Sequence, residues 1–292
     1  MHILLALLSA AAHASSMASV RMYQTRLQKS VVDFRLFQAM YIFAASVAYF
    51  VLSGFRLELD ARGWGLALCY GASFYITAMA NAACLECGPM SLTSVIVNSS
   101  IIMSIAVGCI WYDEVMSATQ IIGCVLLAGT FILSGFQPGK GSGTIPMKWY
   151  PLVFTAFFMN GVGAVLLNIF GRASDAGAKN SFLAVGYLLA AVSFFLTHLG
   201  LMKRRGRANA RPDMRPLLVV LVLLAAFGSF IGNGLLMSLN DAMPATILYP
   251  LVNGGIAVMA SILSCTVFRE KLTRQRLLTI LMGLGAIVAL NL

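Results

Sequence analysis

Residues 88–100 read GPMSLTSVIVNSS, and residues 243–255 read MPATILYPLVNGG. The two stretches align without a gap, with a proline matched to a proline at the second position and an asparagine to an asparagine at the eleventh. A repeat of this kind is typical of a chain built from two copies of one structural unit. We therefore divide the sequence into a first unit at 1–137, a connecting loop at 138–148 and a second unit at 149–292.

The similarity continues beyond the two stretches after one inserted residue. Residues 111–133 align with residues 267–289. Three matched pairs support this part of the alignment, namely Glu114 with Glu270, Ser117 with Thr273 and Gly129 with Gly285. The repeat therefore covers the last third of each unit.

The composition places both units in an apolar setting. The chain of 292 residues is 60% hydrophobic and 10% charged, with a mean hydropathy of +0.87, which leaves too little polar surface to cover a water-soluble globule. Apolar runs long enough to cross about 30 Å of hydrocarbon as a helix recur along the whole chain. We predict ten such spans, at 3–22, 36–55, 63–83, 89–110, 117–136, 149–171, 181–202, 216–239, 244–267 and 273–291.

Each unit then contains five spans, and the number decides how the units are related. Because five is odd, the second unit must cross the membrane in the opposite sense to the first. The predicted fold is an all-α integral membrane protein with ten transmembrane helices arranged as two inverted five-helix repeats.

The Lys and Arg residues that give the net charge of +10 are distributed unevenly among the connections, and this bias carries information on topology. Sixteen of the twenty Lys and Arg residues lie in connections 1–2, 3–4, 5–6, 7–8 and 9–10 or in the span ends that border them, where Arg21, Arg274 and Arg276 are counted. The other connections hold four, Arg56, Arg62, Arg172 and Lys179. Positive connections are retained in the cytoplasm. The bias predicts a multi-pass protein of the cell (inner) membrane with both termini outside, and we expect no nucleic-acid partner.

Residues that could carry catalysis or bind a metal form no recognisable set. The six cysteines are scattered, and Cys84-x-x-Cys87, the pair at ligand spacing, has no second Cys or His pair to complete four ligands. Sequence motifs of metalloproteases, serine hydrolases and phosphate-binding loops are absent. We expect neither an enzyme nor a resident metal or cofactor.

Polar side chains near the middle of spans are the candidates for a binding site, because an unsatisfied polar group in hydrocarbon costs several kcal/mol. In the fourth span Ser94 and Asn98 lie one helical turn apart, and at the matching repeat positions the ninth span has Tyr249 and Asn253. The alternative for each asparagine is a hydrogen bond between helices that serves packing.

The first span offers a further polar face, made of Ser9, His13 and Ser16. Asn160 of the sixth span occupies the repeat position of His13. An imidazole near the centre of a span could carry a coupling proton or contact an anionic substrate group, and the alternative is a neutral His bonded to a neighbouring helix. In the eighth span Asn233 is a candidate as well, while Gly228-x-x-x-Gly232 beside it predicts close helix packing.

Three residues are candidates for gating or hinge motion. Pro250 lies inside the ninth span, where it removes a backbone donor and is predicted to kink the helix. Glu86 and Asp241 match in the repeat and precede the fourth and ninth spans, where they could act at the two mouths of a pathway. The alternative is a solvated loop acid or a favourable charge near a helix N-terminus.

The stretch 112–120, YDEVMSATQ, marks the start of the fifth span. Ser117 and Gln120 have the spacing of a capping box, which predicts a helix that begins after the serine. Asp113 and Glu114 lie just before this start, where the helix dipole favours negative charge. We therefore interpret the two acids as part of a duplicated helix boundary.

A proline-started helix, an acid, a Ser or Thr three residues on and a glycine-containing last helix occur twice, as Pro89…Glu114-x-x-Ser117-x-x-Gln120 and Pro244…Glu270-x-x-Thr273. Over essentially its whole length the chain resembles the drug/metabolite transporter superfamily, in the ten-helix branch built from two EamA-type repeats. The resemblance implies a central cavity lined by helices 1, 3, 4, 6, 8 and 9, and alternating access that moves small metabolites.

We therefore expect a secondary transporter, an exporter or exchanger, of a small polar metabolite such as an amino acid. Its partners would be that substrate and the lipid bilayer; coupling to protons and the choice between monomer and homodimer stay open. Related small multidrug-resistance proteins carry an essential glutamate where His13 stands here, which disfavours proton-coupled multidrug efflux. The remaining alternative is a non-transporting membrane receptor or scaffold.

Overall fold

A computed structural model describes residues 1–28, 31–87, 93, 96–135, 146–205, 216–267 and 274–290. Within these ranges the chain is all-helical, without strands. Its ten main helices follow the ten predicted spans in order. They are α1 (His2–Arg26), α2 (Val31–Leu52), α3 (Ala61–Cys87), α4 (Ile101–Trp111), α5 (Ala118–Gly135), α6 (Trp149–Ala173), α7 (Ala176–Arg205), α8 (Pro216–Leu239), α9 (Ala245–Thr266) and α10 (Arg274–Leu290).

Six of these helices, α1, α2, α3, α6, α7 and α8, are long and apolar enough to cross a membrane by length and composition. The others carry shorter apolar stretches, Ile96–Trp111, Ala118–Thr130, Ala245–Ala260 and Ile280–Leu290. Large apolar side chains such as Phe154 and Phe227 lie exposed on the outside of the bundle. Long apolar helices with an apolar exterior indicate a membrane protein.

The helices of the first unit pack mainly on helices of the second. Helix α1 packs on α8 and α9, α2 on α7 and α8, and α3 on α6 and α7. Helix α4 packs on α6 and α9, and α5 packs on α9 and α10. The two units are therefore interleaved along their whole length.

Small residues allow the helices to approach closely where the units meet. At Gly71 of α3 an added methyl group would collide with the backbone carbonyl of Gly186 on α7. At Gly232 of α8 it would come within 2.7 Å of the His13 ring on α1. Helices in an apolar surrounding associate through such tight van der Waals contacts, so these glycines fix the helix spacing.

The connections α2–α3, α4–α5, α6–α7 and α8–α9 meet at one end of the bundle, which we call the acidic end. The backbone N–H of Glu58 donates to Ser181 Oγ at 3.0 Å, and an ion pair joins Lys179 to Asp241. Six of the ten acids lie here, Glu58, Asp60, Asp113, Glu114, Asp175 and Asp241. Most of the Lys and Arg residues that the structure describes lie toward the opposite end, which we call the basic end.

The contact at Gly71 gives a test of helix spacing. We expect Gly71→Ala to lower the free energy of unfolding by about 1–3 kcal/mol, because its methyl group meets a backbone carbonyl that cannot rotate away. The matched control is Gly65→Ala on the same helix, where a Cβ would meet nothing within 4 Å. Thermal unfolding in detergent compares the two, and equal stabilities would contradict this account of the packing.

Candidate functional site

The predicted polar face of α1 lies against α8. Ser9 Oγ donates to the carbonyl of Gly232 at 2.7 Å, and Ser16 Oγ donates to that of Ala225 at 3.0 Å. His13 lies between the two serines with its ring over Gly232, and part of its surface stays exposed. The glycine motif of α8, which is predicted to pack closely, therefore forms the surface that the His13 ring contacts.

Asn160 is halfway along α6 and links it to the start of α4. Its Nδ2 donates to Ser100 Oγ at 2.7 Å and to the carbonyl of Val97 at 3.4 Å. Asn98 follows Val97 directly in a short helical segment, and both Asn98 and Asn160 are exposed. The structure thus brings these two candidates into one neighbourhood.

One of the two candidates of α9, Tyr249, contacts the same helix α6. Tyr249 is buried, and its hydroxyl donates to the carbonyl of Ala164, one turn from Asn160. Asn253 is partly exposed, and its Nδ2 donates to the carbonyl of Tyr249 at 2.9 Å. The helix continues through Pro250 between them.

Asn233 belongs to a different group. Its Nδ2 donates to Tyr187 Oη on α7 at 2.7 Å, and that hydroxyl is 2.9 Å from Ser229 Oγ. The ring of Tyr187 stacks on Tyr49 with centroids 5.7 Å apart. Asn233 therefore faces α7 and α2, whereas its neighbour Gly232 faces His13 on α1. Sequence reasoning missed Tyr187, which no motif distinguishes from other tyrosines in the spans.

Of the two candidate gating acids, the structure describes the side chain of Asp241. Asp241 pairs with Lys179 at the acidic end and is about half exposed, with 48% of its side-chain surface accessible. Glu86 lies in the last turn of α3, and its side chain is outside the described part of the structure. Ser94 also lies outside the described residues. Among the described side chains, no three His, Cys, Asp or Glu residues are placed to hold a metal ion.

Glu114 has a role that the sequence did not suggest. The capping box forms as predicted, since the Ser117 N–H donates to Gln120 Oε1 and the Gln120 N–H donates to Ser117 Oγ. Glu114, however, does not serve this helix start. Its Oε1 and Oε2 accept the backbone N–H groups of Ala245 and Thr246, each at 2.9 Å, at the N-terminus of α9.

Arg172 completes the surroundings of Glu114. Its Nη2 forms an ion pair with Glu114 Oε1, its Nε donates to Asn168 Oδ1 at 2.8 Å, and its guanidinium lies 4.2 Å from the ring centroid of Tyr112. Burial raises the pKa of Glu114, but the hydrogen bonds from the α9 backbone and Arg172 outweigh it, so the net effect is a lowered pKa.

Comparison with known proteins gives a likeness of architecture. No family model matches the chain, and no curated protein matches it. A solved structure described as "Crystal structure of protein" superposes with a TM-score of 0.78 at 12% identity, covering 100% of this chain and 98% of its own. The likeness at this identity is one of fold, and it extends over both units.

The lowered pKa of Glu114 predicts a pH-dependent contribution to stability. A carboxylate whose pKa is depressed by folding stabilises the protein fully above its ordinary pKa of about 4.3, and the contribution disappears as the pH falls through the lowered value. We expect Glu114→Gln to cost about 2–3 kcal/mol at neutral pH, since hydrogen bonds to a charged group contribute about 1.5–3 kcal/mol. The difference from wild type should shrink in strong acid.

Thermal unfolding in detergent at a series of pH values measures this difference. The matched control is Asp113→Asn, which removes the neighbouring, exposed carboxylate. A difference between wild type and Glu114→Gln that stays constant into strong acid would contradict the assignment.

Proposed function

We propose that the protein is a secondary transporter of a small polar metabolite, with two inverted five-helix repeats around a central cavity. The observation that carries the proposal is that Asn98 and Asn160 are exposed and that His13 and Asn253 are partly exposed. Each lies near the middle of its predicted span. A polar group that faces lipid at that depth costs several kcal/mol, so the exposure of these side chains is best explained by contact with water inside the bundle.

The helix pairing supports the inverted repeat. Exchanging each helix of the first unit for its counterpart in the second turns the pair α1–α8 into α6–α3, α1–α9 into α6–α4 and α2–α8 into α7–α3, and all these pairs are present. The pairs α2–α7, α4–α9 and α5–α10 are converted into themselves. A pseudo-two-fold axis predicts this correspondence, which holds for the pairs named here, whereas α9–α10 has no counterpart of similar extent between α4 and α5 in the described residues. In transporters with such an axis the substrate binds near the midplane where the repeats meet.

The chemistry of the candidate residues favours a neutral or zwitterionic substrate. They offer carboxamides, a phenol and one imidazole, and all ten acids of the chain lie in connections or at span ends. A cavity without a central carboxylate is poorly suited to exchanging protons for lipophilic cations. The resemblance to EamA-type transporters, together with these groups, makes an amino acid or a related metabolite the proposed cargo, moved outward or exchanged.

Transport is tested with purified protein in sealed vesicles and a mixture of ¹³C-labelled amino acids as the probe. We expect His13→Ala, Asn160→Ala and Asn253→Ala to reduce the initial rate at least tenfold while the proteins remain folded. The control is Thr155→Val on α6, whose hydroxyl donates to the carbonyl of Pro151 in its own helix.

The two results that count against the proposal differ. Normal transport by the three variants would remove the site assignment and leave the transporter. A wild-type protein that moves none of the labelled compounds would favour the receptor or scaffold instead.

The charge bias predicts the orientation independently. We propose that the basic end faces the cytoplasm, because positive connections are retained there, and that both termini are therefore outside. A reporter active on one side of the membrane, fused in turn to each terminus, measures this directly. Cytoplasmic activity of the C-terminal reporter would contradict the proposed orientation.

A further inference from the structure

Glu114 connects the two units at the acidic end. It lies in the α4–α5 connection of the first unit, and all its described polar side-chain contacts are with the second: the first two N–H groups of α9 and Arg172 near the end of α6. The Glu114 side chain is 9% exposed. One carboxylate thus holds together three elements that are far apart in the sequence.

Helix α9 depends on this contact for its cap. The residue before its first turn is Pro244, which has no side-chain hydrogen-bonding group and makes no cap of its own. The first N–H groups of a helix have no partner within it and carry its positive partial charge. A carboxylate that accepts two of them gives these N–H groups a partner and also places a negative charge at the positive end of the helix.

The backbone and the neighbours of Glu114 restrict where its side chain can lie. Asp113, the residue before it, has a positive φ of 51°, a conformation that is costly for residues other than glycine. At Gly108, in the last turn of α4, an added Cβ would lie 2.6 Å from Glu114 Oε2 and 3.3 Å from the Cβ of Ala245. A glycine is therefore needed for α4, Glu114 and the start of α9 to meet.

We infer that Glu114 and Arg172 are gating residues that close the acidic end. The inference rests on the proposed transport function, because α9 also carries Tyr249, Pro250 and Asn253. For this end to open, the start of α9 must separate from the end of α4, and Glu114 must leave the two N–H groups. Water entering the opened end would solvate the carboxylate, the guanidinium and the helix N-terminus, so the contact is broken by the same event that opens the path.

The first experiment measures opening without measuring transport. Leu248 is fully buried one turn into α9, and Leu248→Cys places a thiol there for a water-soluble maleimide. We expect Glu114→Gln and Arg172→Gln to raise its alkylation rate at least fivefold in detergent, after subtraction of the reaction of the native cysteines. Asp113→Asn is the matched control and should leave the rate unchanged.

Exchanging the charges separates a gate from a simple ion pair. In Glu114→Arg with Arg172→Glu an ion pair can form again, but the arginine cannot accept the N–H groups of Ala245 and Thr246. We expect alkylation to stay fast in this protein. Restoration of the slow wild-type rate, or unchanged rates in both single variants, would overturn the inference.

A crosslink tests the same contact in a folded protein. An added Cβ at Gly108 would lie 3.3 Å from the Cβ of Ala245, a few tenths of an ångström short of the usual separation in a disulfide, so Gly108→Cys and Ala245→Cys can be bridged after a small shift. The new side chain at position 108 displaces the Glu114 carboxylate, and the disulfide takes its place in holding α4 to the start of α9. Oxidation should reduce transport at least tenfold and a reductant should restore it, while each single variant is insensitive to both. Full transport by the crosslinked protein would refute the gate but not the transport function. Absence of transport in the wild type would refute the proposed function, and the alkylation rates would then decide whether Glu114 closes this end.

Discussion

The close approach of helices from opposite units is the constraint on which the rest of the structure depends. Gly71 meets Gly186, and Gly232 accepts the ring of His13, at distances that leave no room for a side chain. The serines of α1 add hydrogen bonds to the α8 backbone at the same contact. Because these contacts fix the spacing of α3 against α7 and of α1 against α8, they also hold the serine and histidine face of α1 in its place on α8.

Much of the architecture could be predicted from local sequence. The described helices follow the ten spans because hydropathy and length determine where a membrane helix forms, and α5 begins after Ser117 because a capping box is encoded within four residues. The contact between His13 and Gly232 was partly anticipated, since a small-residue motif indicates close packing without identifying the partner helix.

The contacts that could not be predicted join residues far apart in the chain. Glu114 meets Ala245 across 131 residues and Asn233 meets Tyr187 across 46, and no local pattern specifies either pair. One signal was present for Glu114. Met243 and Pro244 precede α9 without a Ser, Thr, Asp or Asn to cap it, so an acceptor had to come from elsewhere in the fold. The local sequence instead favours the nearest helix start, which Ser117 already caps.

The interleaving of the two units has a consequence for how the chain is made. Ser9 and Ser16 of α1 find their acceptors on α8, 223 and 209 residues later. At a synthesis rate of about 5–20 residues per second, α1 waits roughly 10–45 s before that partner leaves the ribosome. During that interval its serine and histidine face has no native cover, so biogenesis requires either water or another protein beside the first helix until the second half arrives.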